Sequence, residues 1–213
     1  MENMIIVGAG GLGRDTEAYA RKDSAHGNVW KLAGFLDTRP DILDRFGMRS
    51  RLLGDPRTYI PRGEDVFIVA VGDTKLRQEL VTVLVEKGAR FVSLRTNVQF
   101  GDRVKWGSTV FCDRATLSSD VVVGNYSYIS AETLIGHDSF IGDYVHIGPR
   151  CFIAGRVKIK SMATIHPMAT ITMDTEIGEG AVVAAGAVVF GNVPAYTTVI
   201  GNPAHRFDFK AAP

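Results

Sequence analysis

The chain of 213 residues has 46% hydrophobic and 22% charged residues, an ordinary globular composition that is enough for one large or two small domains. There are 24 Lys and Arg residues and 23 Asp and Glu residues, which gives a formal net charge of +1. Proteins that bind nucleic acids or anionic membranes usually have a larger excess of basic residues. Its 2 cysteines have no CxxC spacing, which excludes a disulfide framework and a thiolate metal site. The first apolar run, residues 4–7, is too short for a signal peptide or a membrane span, so we expect a cytoplasmic protein that binds neither nucleic acid nor membrane.

Strand and helix signals alternate in the first part of the chain. Leu76, Leu80 and Leu84 recur at helical spacing after Thr74, and Gly88 is a typical residue to end that helix. This alternation predicts a small parallel α/β sheet. The predicted elements are a strand at 4–7, a helix at 14–22, strands at 32–36 and 66–71, a helix from Thr74 and a strand at 91–94.

A glycine-rich motif separates the first strand from the first helix. Residues 8–13, GAGGLG, satisfy G-x-G-x-x-G, the setting in which backbone N–H groups and a helix N-terminus hold a phosphate. Asp37 ends the second strand, where a ribose or base contact is expected. The segment before Arg95 supplies only one mononucleotide-binding half, which is too little for an NAD site with a substrate domain. A tight turn that binds nothing is the alternative interpretation.

The composition changes near Arg95. Leucine is frequent up to that point, whereas afterwards only Leu117 and Leu134 remain and isoleucine and valine dominate. Helix-favouring sequence therefore gives way to strand-favouring sequence. We predict two domains, a Rossmann-like domain at residues 1–95 and a second domain at 96–213.

The second domain contains an internal repeat of six residues. An aliphatic residue recurs every six positions from Val123 to Val189, and a small or slender residue follows each one four positions later, from Ser127 to Val193. This spacing fits a strand-and-corner unit with one aliphatic side chain in the interior and a small one at the turn. Three units would close a triangular coil of 18 residues, and successive coils would stack at the roughly 4.8 Å spacing of strands in a sheet.

A polar segment at residues 136–148 interrupts the regular pattern. His137 lies two positions after the interior Ile135, so its side chain should project outward from the coil. One coil further along the chain, Gly155 should lie directly above it. A histidine beside a backbone N–H that no side chain obstructs suits acyl transfer, since one group takes a proton and the other donates to an oxyanion.

Four motifs occur in a fixed order along the chain: GAGGLGRD at 8–15, GFLD at 34–37, GHDSFIGDYVHIGP at 136–149 and GNPA at 201–204. The hexad repeat is similar to that of the hexapeptide-repeat, left-handed β-helix acyltransferases, and the motifs resemble the bacterial sugar acetyltransferases named for sialic acid O-acetyltransferase. That family includes the nucleotide-amino-sugar N-acetyltransferases of surface-glycan synthesis, such as lipopolysaccharide or O-antigen.

The resemblance implies a fold and a set of catalytic residues. The fold would be a small parallel α/β domain followed by a left-handed parallel β-helix. His137 would be the general base that accepts a proton from a sugar amine, and Asp138 would polarise it. His146 and Gly155 would contact the acetyl end of acetyl-CoA, the co-substrate, and the Gly155 N–H would stabilise the tetrahedral oxyanion.

The resemblance also implies two binding regions. Pro167 and Ala185 would line the pantetheine and adenine groove between neighbouring subunits of a homotrimer. The N-terminal domain would hold the nucleotide part of a nucleotide-linked amino sugar. Its binding residues would be Gly8, Gly10, Gly11, Leu12, Gly13, Asp37, Gly72 and Asp73.

Three positions depart from the family pattern. Leu12 stands where many members have a histidine near the sugar, and Ser130 replaces a common asparagine. His166 and Pro167 replace a small pair beside the CoA channel. The first two departures leave the sugar open, and the third leaves the detailed CoA contacts open.

Other functions remain as alternatives. O-acetylation of a sialic acid or another sugar hydroxyl would need the same machinery. A β-helix carbonic anhydrase needs three histidines around zinc, but His137, His146 and His166 are nine and twenty positions apart, and we predict no metal site. A non-catalytic solenoid would repeat its exposed residues regularly, which this chain does not. We interpret Cys151 as an inert, buried small residue of the repeat.

Overall fold

The structure, a computed structural model, describes residues 1–47, 51–109 and 111–208. It divides into two compact units, Met1–Thr96 and Asn97–Pro213, and this boundary is one residue from the predicted one. No helix in these described ranges is both long and apolar enough to cross a membrane.

The first unit contains a parallel sheet of five strands in the order β3-β2-β1-β4-β5, as the alternating pattern predicts. Strand β1 lies at the centre, and its Met4 to Val7 are fully buried because both faces of the sheet are covered. The elements are β1 (Glu2–Val7), α1 (Gly11–Ala20), β2 (Trp30–Leu36), a 3-10 turn (Asp44–Phe46), β3 (Leu52–Gly54), β4 (Asp65–Val69), α2 (Thr74–Glu86) and β5 (Arg90–Phe91).

Three sequence predictions for this unit need correction. Helix α1 begins at Gly11 rather than Arg14 and ends at Ala20, because its first turn continues directly from the glycine-rich loop in spite of the low helix propensity of glycine. Strand β3 was not predicted, since it is only three residues long. The predicted strand at 91–94 is two separate strands, β5 and β6 (Leu94–Thr96), and only β5 joins the parallel sheet.

The second unit is a coil of three parallel faces, as the hexad repeat predicts. Face 1 consists of Gln99–Phe100, Thr116–Leu117, Leu134–Ile135, Phe152–Ile153, Thr170–Ile171 and Val188–Val189. Face 2 consists of Lys105–Trp106, Val122–Val123, Phe140–Ile141, Lys158–Ile159 and Glu176–Ile177. Face 3 includes Phe111–Asp113, Tyr128–Ile129, His146–Ile147, Thr164–Ile165, Val182–Val183 and Thr198–Ile200, with His205–Arg206 pairing antiparallel at the end.

Neighbouring strands on each face are 18 residues apart over most of the unit. Ile129 pairs with Ile147 and Ile147 with Ile165, so aliphatic side chains stack in the interior, each 0% exposed. The small residues four positions later are also buried, from Ser127 at 1% to Val193 at 4% exposure. The sequence-derived core is therefore confirmed.

The spacing shortens at both ends of the coil. Gln99 pairs with Thr116 at a separation of 17 residues, and Val182 pairs with Thr198 at 16. Val193 consequently bridges Ile177 in the interior strand position, whereas the repeat placed it at the small-residue position. The oxygen Oδ1 of Asn192 accepts from the backbone N–H of Glu176 at 2.8 Å, which replaces the carbonyl that a full coil would supply.

Each corner of the coil turns through a left-handed residue. Asp138 has φ +59° and Arg156 has φ +59°, and a positive φ recurs at every sixth residue from Arg114 to Gly186. Such residues cost about 1–2 kcal/mol in isolation, and hydrogen bonds between coils offset that cost. The N–H of Arg156, for instance, donates to the His137 carbonyl at 2.7 Å.

Candidate active site

A cavity of about 430 Å³ opens at the carboxyl ends of β1, β2 and β4. This is the edge at which parallel α/β sheets bind ligands. Gly8, Gly10 and Gly11 line it together with Leu12, and Gly72 lines its other side. Most of the predicted nucleotide-sugar residues therefore meet at one cavity.

Asp37 also lines this cavity, but its carboxylate is largely occupied. The oxygen Oδ2 accepts from the Ala9 N–H at 2.8 Å and from Nη2 of Arg39 at 3.0 Å. The oxygen Oδ1 accepts from the backbone N–H and Nε of Arg39 at 3.0 and 2.9 Å. Burial alone would raise the pKa of Asp37, but these hydrogen bonds outweigh it, and the pKa lies below the usual value. Asp37 thus holds the glycine-rich loop and Arg39 in place.

Arg39 is a cavity residue that sequence reasoning missed. It lies two positions after Asp37 in an irregular segment, where no motif marks it, and its side chain remains 58% exposed. The hydrogen bond to Asp37 raises the pKa of the Arg39 guanidinium further, and the group is permanently charged.

Two of the predicted nucleotide-sugar residues do not line the cavity. Gly13 is buried in α1, where any side chain would collide with the Gly8 carbonyl. Asp73 is the N-cap of α2, and its Oδ1 accepts from the Leu76 N–H at 2.8 Å. Both residues shape the loops around the cavity rather than facing into it.

On the β-helix, His137 and Asp138 lie at the corner between faces 1 and 2. Nδ1 of His137 is 2.6 Å from Oδ2 of Asp138, and both side chains are about half exposed. Neighbours on a strand point to opposite faces, but the left-handed conformation of Asp138 turns its side chain back toward His137. The contact assigns Nδ1 to the carboxylate and leaves Nε2 for another partner.

Gly155 lies against the His137 ring on the next coil. A Cβ atom at position 155 would be only 2.6 Å from Nε2 and 2.8 Å from Cε1 of His137. Glycine is therefore required for the ring to occupy this position. The N–H of Gly155 donates to no acceptor within the described residues, and Ser139 stabilises the same corner through a 3.1 Å hydrogen bond to the Ala154 carbonyl.

Two ion pairs flank the histidine along the corner. Arg103 donates two hydrogen bonds of 2.6 Å to the Asp120 carboxylate. Arg156 donates hydrogen bonds of 2.7 and 2.8 Å to the Asp174 carboxylate. The arginine hydrogen bonds lower the pKa of each aspartate, and the positive charge of a protonated His137 would lower both further. The surroundings of His137 thus carry nearly balanced charge at neutral pH.

Apolar side chains surround the same corner. Leu134 and Phe152 lie on face 1, Phe140 lies on face 2, and Met173 lies one coil beyond Gly155. Their exposed fractions range from 38% to 55%, which is high for large apolar groups. The candidate base is therefore set in an apolar surface rather than a purely polar one.

The remaining predicted CoA residues lie elsewhere on the coil. His146 is on the outside of face 3, with its ring centroid 5.2 Å from that of Tyr128. Pro167 and Ala185 occupy the corner between faces 3 and 1 on successive coils. One chain thus brings His137 together with Asp138 and Gly155, but does not bring His146, Pro167 or Ala185 to them.

Three other polar residues were considered in the sequence. His166 is exposed at a corner, as expected. Ser130 is buried, and its Oγ accepts from the Tyr128 hydroxyl at 2.9 Å. Cys151 is 2% exposed, which confirms that it is buried, and burial raises the pKa of its thiol to about 11. In the part of the chain that the structure describes, no three side chains of His, Cys, Asp or Glu form a group that could hold a metal ion.

Comparisons with known proteins agree with this architecture. Residues 3–84 match the PglD N-terminal domain. The protein WeeI from Acinetobacter baumannii is 26% identical, with a TM-score of 0.84 over 97% of this chain and 100% of that one. A comparison with curated proteins gave no significant sequence match.

Two solved acetyltransferases share the fold. A mutant of perosamine N-acetyltransferase from Caulobacter crescentus, solved with CoA and GDP-perosamine, is 23% identical, with a TM-score of 0.82 over 98% of each chain. The acetyltransferase domain of PglB from Neisseria gonorrhoeae, solved with acetyl-CoA, is 22% identical, with a TM-score of 0.82 over 97% of this chain and 99% of that one. The chain as a whole therefore shares its fold with these two acetyltransferases, and residues 3–84 match the PglD N-terminal domain.

Proposed function

We propose that the protein is an acetyltransferase that moves the acetyl group of acetyl-CoA to the amine of a nucleotide-linked amino sugar. The observation that carries this proposal is the arrangement of His137, with Nδ1 beside the Asp138 carboxylate and Nε2 close to Gly155. The fold shared with structures that hold CoA, acetyl-CoA or GDP-perosamine supports the choice of substrates. The resemblance further implies a role in surface-glycan biosynthesis in the cytoplasm.

In the proposed reaction, the neutral sugar amine attacks the thioester carbonyl carbon and a C–N bond forms. Nε2 of His137 accepts the amine proton, and Asp138 stabilises the imidazolium that results. The Gly155 N–H donates to the carbonyl oxygen as it becomes an oxyanion. The C–S bond then breaks, and CoA leaves as a thiolate that takes up the proton.

We propose that the active enzyme is a homotrimer. His146 lies on face 3 and Pro167 with Ala185 at the corner of faces 3 and 1, so a single chain leaves them apart from His137. The exposed apolar residues Leu134, Phe140 and Phe152 around His137 support burial of this corner against another surface. A neighbouring copy would supply the remaining acetyl-CoA contacts.

The first experiment measures CoA release with UDP-, GDP- and dTDP-linked amino sugars. We expect turnover with at least one nucleotide-linked amine, and His137→Ala to lower kcat by about 10²–10⁴-fold. Because His137 is half exposed and contributes nothing to the core, circular dichroism and the oligomeric mass should stay unchanged. His205→Ala, which removes an exposed histidine that is not among the predicted site residues, is the matched control. An unaffected rate in His137→Ala would reject the proposed base.

The acceptor decides between the two forms of the reaction. Acetylation only of sugar hydroxyls, such as those of a sialic acid, would replace the proposed N-acetyltransferase by an O-acetyltransferase. Stoichiometric zinc in the purified protein would instead favour the carbonic anhydrase alternative. Product analysis by mass spectrometry and a metal assay distinguish these outcomes.

A further inference from the structure

The charge of the N-terminal cavity comes from two neighbouring residues. Among the described residues that line it, only Asp37 and Arg39 are charged, and they form an ion pair with each other. A nucleoside diphosphate would bring at least two negative charges to this cavity. Arg39 is thus the one cationic side chain in the described lining that can compensate them.

The guanidinium of Arg39 is held by one edge. Nε donates to Oδ1 of Asp37 at 2.9 Å and Nη2 donates to Oδ2 at 3.0 Å, which is the bidentate geometry that fixes a guanidinium plane. Asp37 is itself fixed by the Ala9 N–H at 2.8 Å. The opposite edge keeps the two N–H groups of Nη1 and one N–H of Nη2 as a second fork, and Nη1 donates to no acceptor within the described residues.

The free edge lies beside the start of α1. Nη2 of Arg39 would be 3.7 Å from a Cβ atom at Gly10, which is the N-cap of this helix. Gly10 and Gly11 have no side chains and both line the cavity, so a ligand can approach their backbone closely. The free N–H groups of the first helical turn and the free edge of Arg39 therefore point to the same anionic group.

We propose that Arg39 binds the phosphoryl groups of the nucleotide through the free edge of its guanidinium, and that Asp37 is a positioning residue that holds the other edge. This inference rests on the proposed nucleotide-sugar site and assigns the residue that supplies its positive charge. It also reassigns Asp37, which the dinucleotide pattern predicts to contact a ribose or base directly.

The test measures binding of UDP, GDP and dTDP by titration calorimetry at low and high NaCl. We expect Arg39→Ala to lower the affinity for each nucleotide that the wild-type protein binds by roughly tenfold or more at low salt, since hydrogen bonds to charged groups contribute at that scale. The affinity of the wild-type protein should also fall more steeply with salt than that of the variant. Arg39→Lys should recover only part of the affinity, because an ammonium group cannot form bidentate hydrogen bonds with both Asp37 and the phosphate.

Arg57→Ala is the matched control. Arg57 is also exposed and paired with an acidic side chain, Glu79, at 2.9 Å, but it does not line the cavity. We expect this variant to bind the nucleotides as the wild type does. Thermal unfolding of all variants checks that each is folded.

Three results would overturn the assignment. Wild-type affinity and salt dependence in Arg39→Ala would show that Arg39 does not bind the phosphates. A weaker affinity with an unchanged salt dependence would assign Arg39 to the uncharged base. If the wild-type protein bound none of UDP, GDP and dTDP, the proposed nucleotide site would be refuted together with this assignment, whereas the first two results would leave that site in place.

Discussion

Substitution of Gly155 by alanine (Gly155→Ala) would place a methyl group 2.6 Å from Nε2 of His137. Ordinary van der Waals contact begins at 3.4 Å, so the imidazole ring must retreat by about 0.8 Å or rotate away. The backbone of Gly155 is not in the left-handed region, and alanine brings no backbone strain there. The collision therefore acts on His137 and leaves the coil intact.

The expected cost falls on catalysis. A displacement of about 1 Å at a catalytic group lowers the rate by roughly 10²-fold, or about 2.7 kcal/mol of transition-state stabilisation. The exposed contact between His137 and Asp138 contributes at most about 1 kcal/mol to folding, so Tm should fall by no more than about 4 °C. The assays are steady-state CoA release and thermal unfolding.

A double-mutant cycle with His137→Ala tests this reasoning. Without the imidazole ring the new methyl group has no steric clash. The double variant should therefore have a kcat no lower than that of His137→Ala alone. Gly191→Ala is the control, because a Cβ atom there would meet no atom within 4 Å. Wild-type kcat in Gly155→Ala, or a double variant much slower than either single variant, would refute the proposed role of this contact.

The buried thiols Cys112 and Cys151 should not react with Ellman's reagent at pH 8 until the protein is unfolded, since burial raises the pKa of Cys151 to about 11; reaction of the native protein would contradict this burial. Ile147→Ala should destabilise the β-helix by about 2–5 kcal/mol in urea unfolding, because Ile147 is 0% exposed in the stacked interior, while the exposed His166→Ala should change stability by less than about 0.5 kcal/mol. Asp37→Asn should lower the free energy of unfolding by about 1–2 kcal/mol at pH 7, because the carboxylate accepts hydrogen bonds from Ala9 and Arg39. Because the folded-state pKa of Asp37 is lowered, its stabilising effect is complete above the unfolded-state pKa of about 3.9 and is lost as the pH falls toward the folded-state pKa. The difference in the free energy of unfolding between wild type and variant should therefore become smaller on acidification. An equal difference at every pH would contradict the lowered pKa.

The hexad repeat made the β-helix predictable. A side chain such as Ile147 recurs in a fixed phase, so one local rule assigns every interior position without knowledge of the rest of the fold. The rule failed only at the ends, where Val193 moves to an interior strand position because the last coil is two residues shorter. Such a shortening depends on how Asn192 replaces a backbone acceptor, which no periodicity reveals.

The α/β unit was less predictable. The apolar run at Met4 marks a buried strand by itself, whereas β3 is too short to produce a pattern and exists because it pairs with β2. The start of α1 at Gly11 likewise contradicts local propensity, since Gly13 is placed there by its close approach to Gly8. Tertiary packing overrides propensity wherever a segment is short or rich in glycine.

For the candidate site, the sequence alone predicted that His137 and Gly155 are neighbours, because residues 18 positions apart lie next to each other on successive turns of a regular coil. Only the tertiary structure showed that Asp138 reaches His137, since this contact depends on the left-handed conformation at the corner. It also showed that the Asp37 carboxylate is hydrogen-bonded to Arg39. It likewise decided that His146 lies on another face of the same chain. Side-chain direction and competition between hydrogen-bond partners are properties of the folded backbone, and no repeat or motif encodes them.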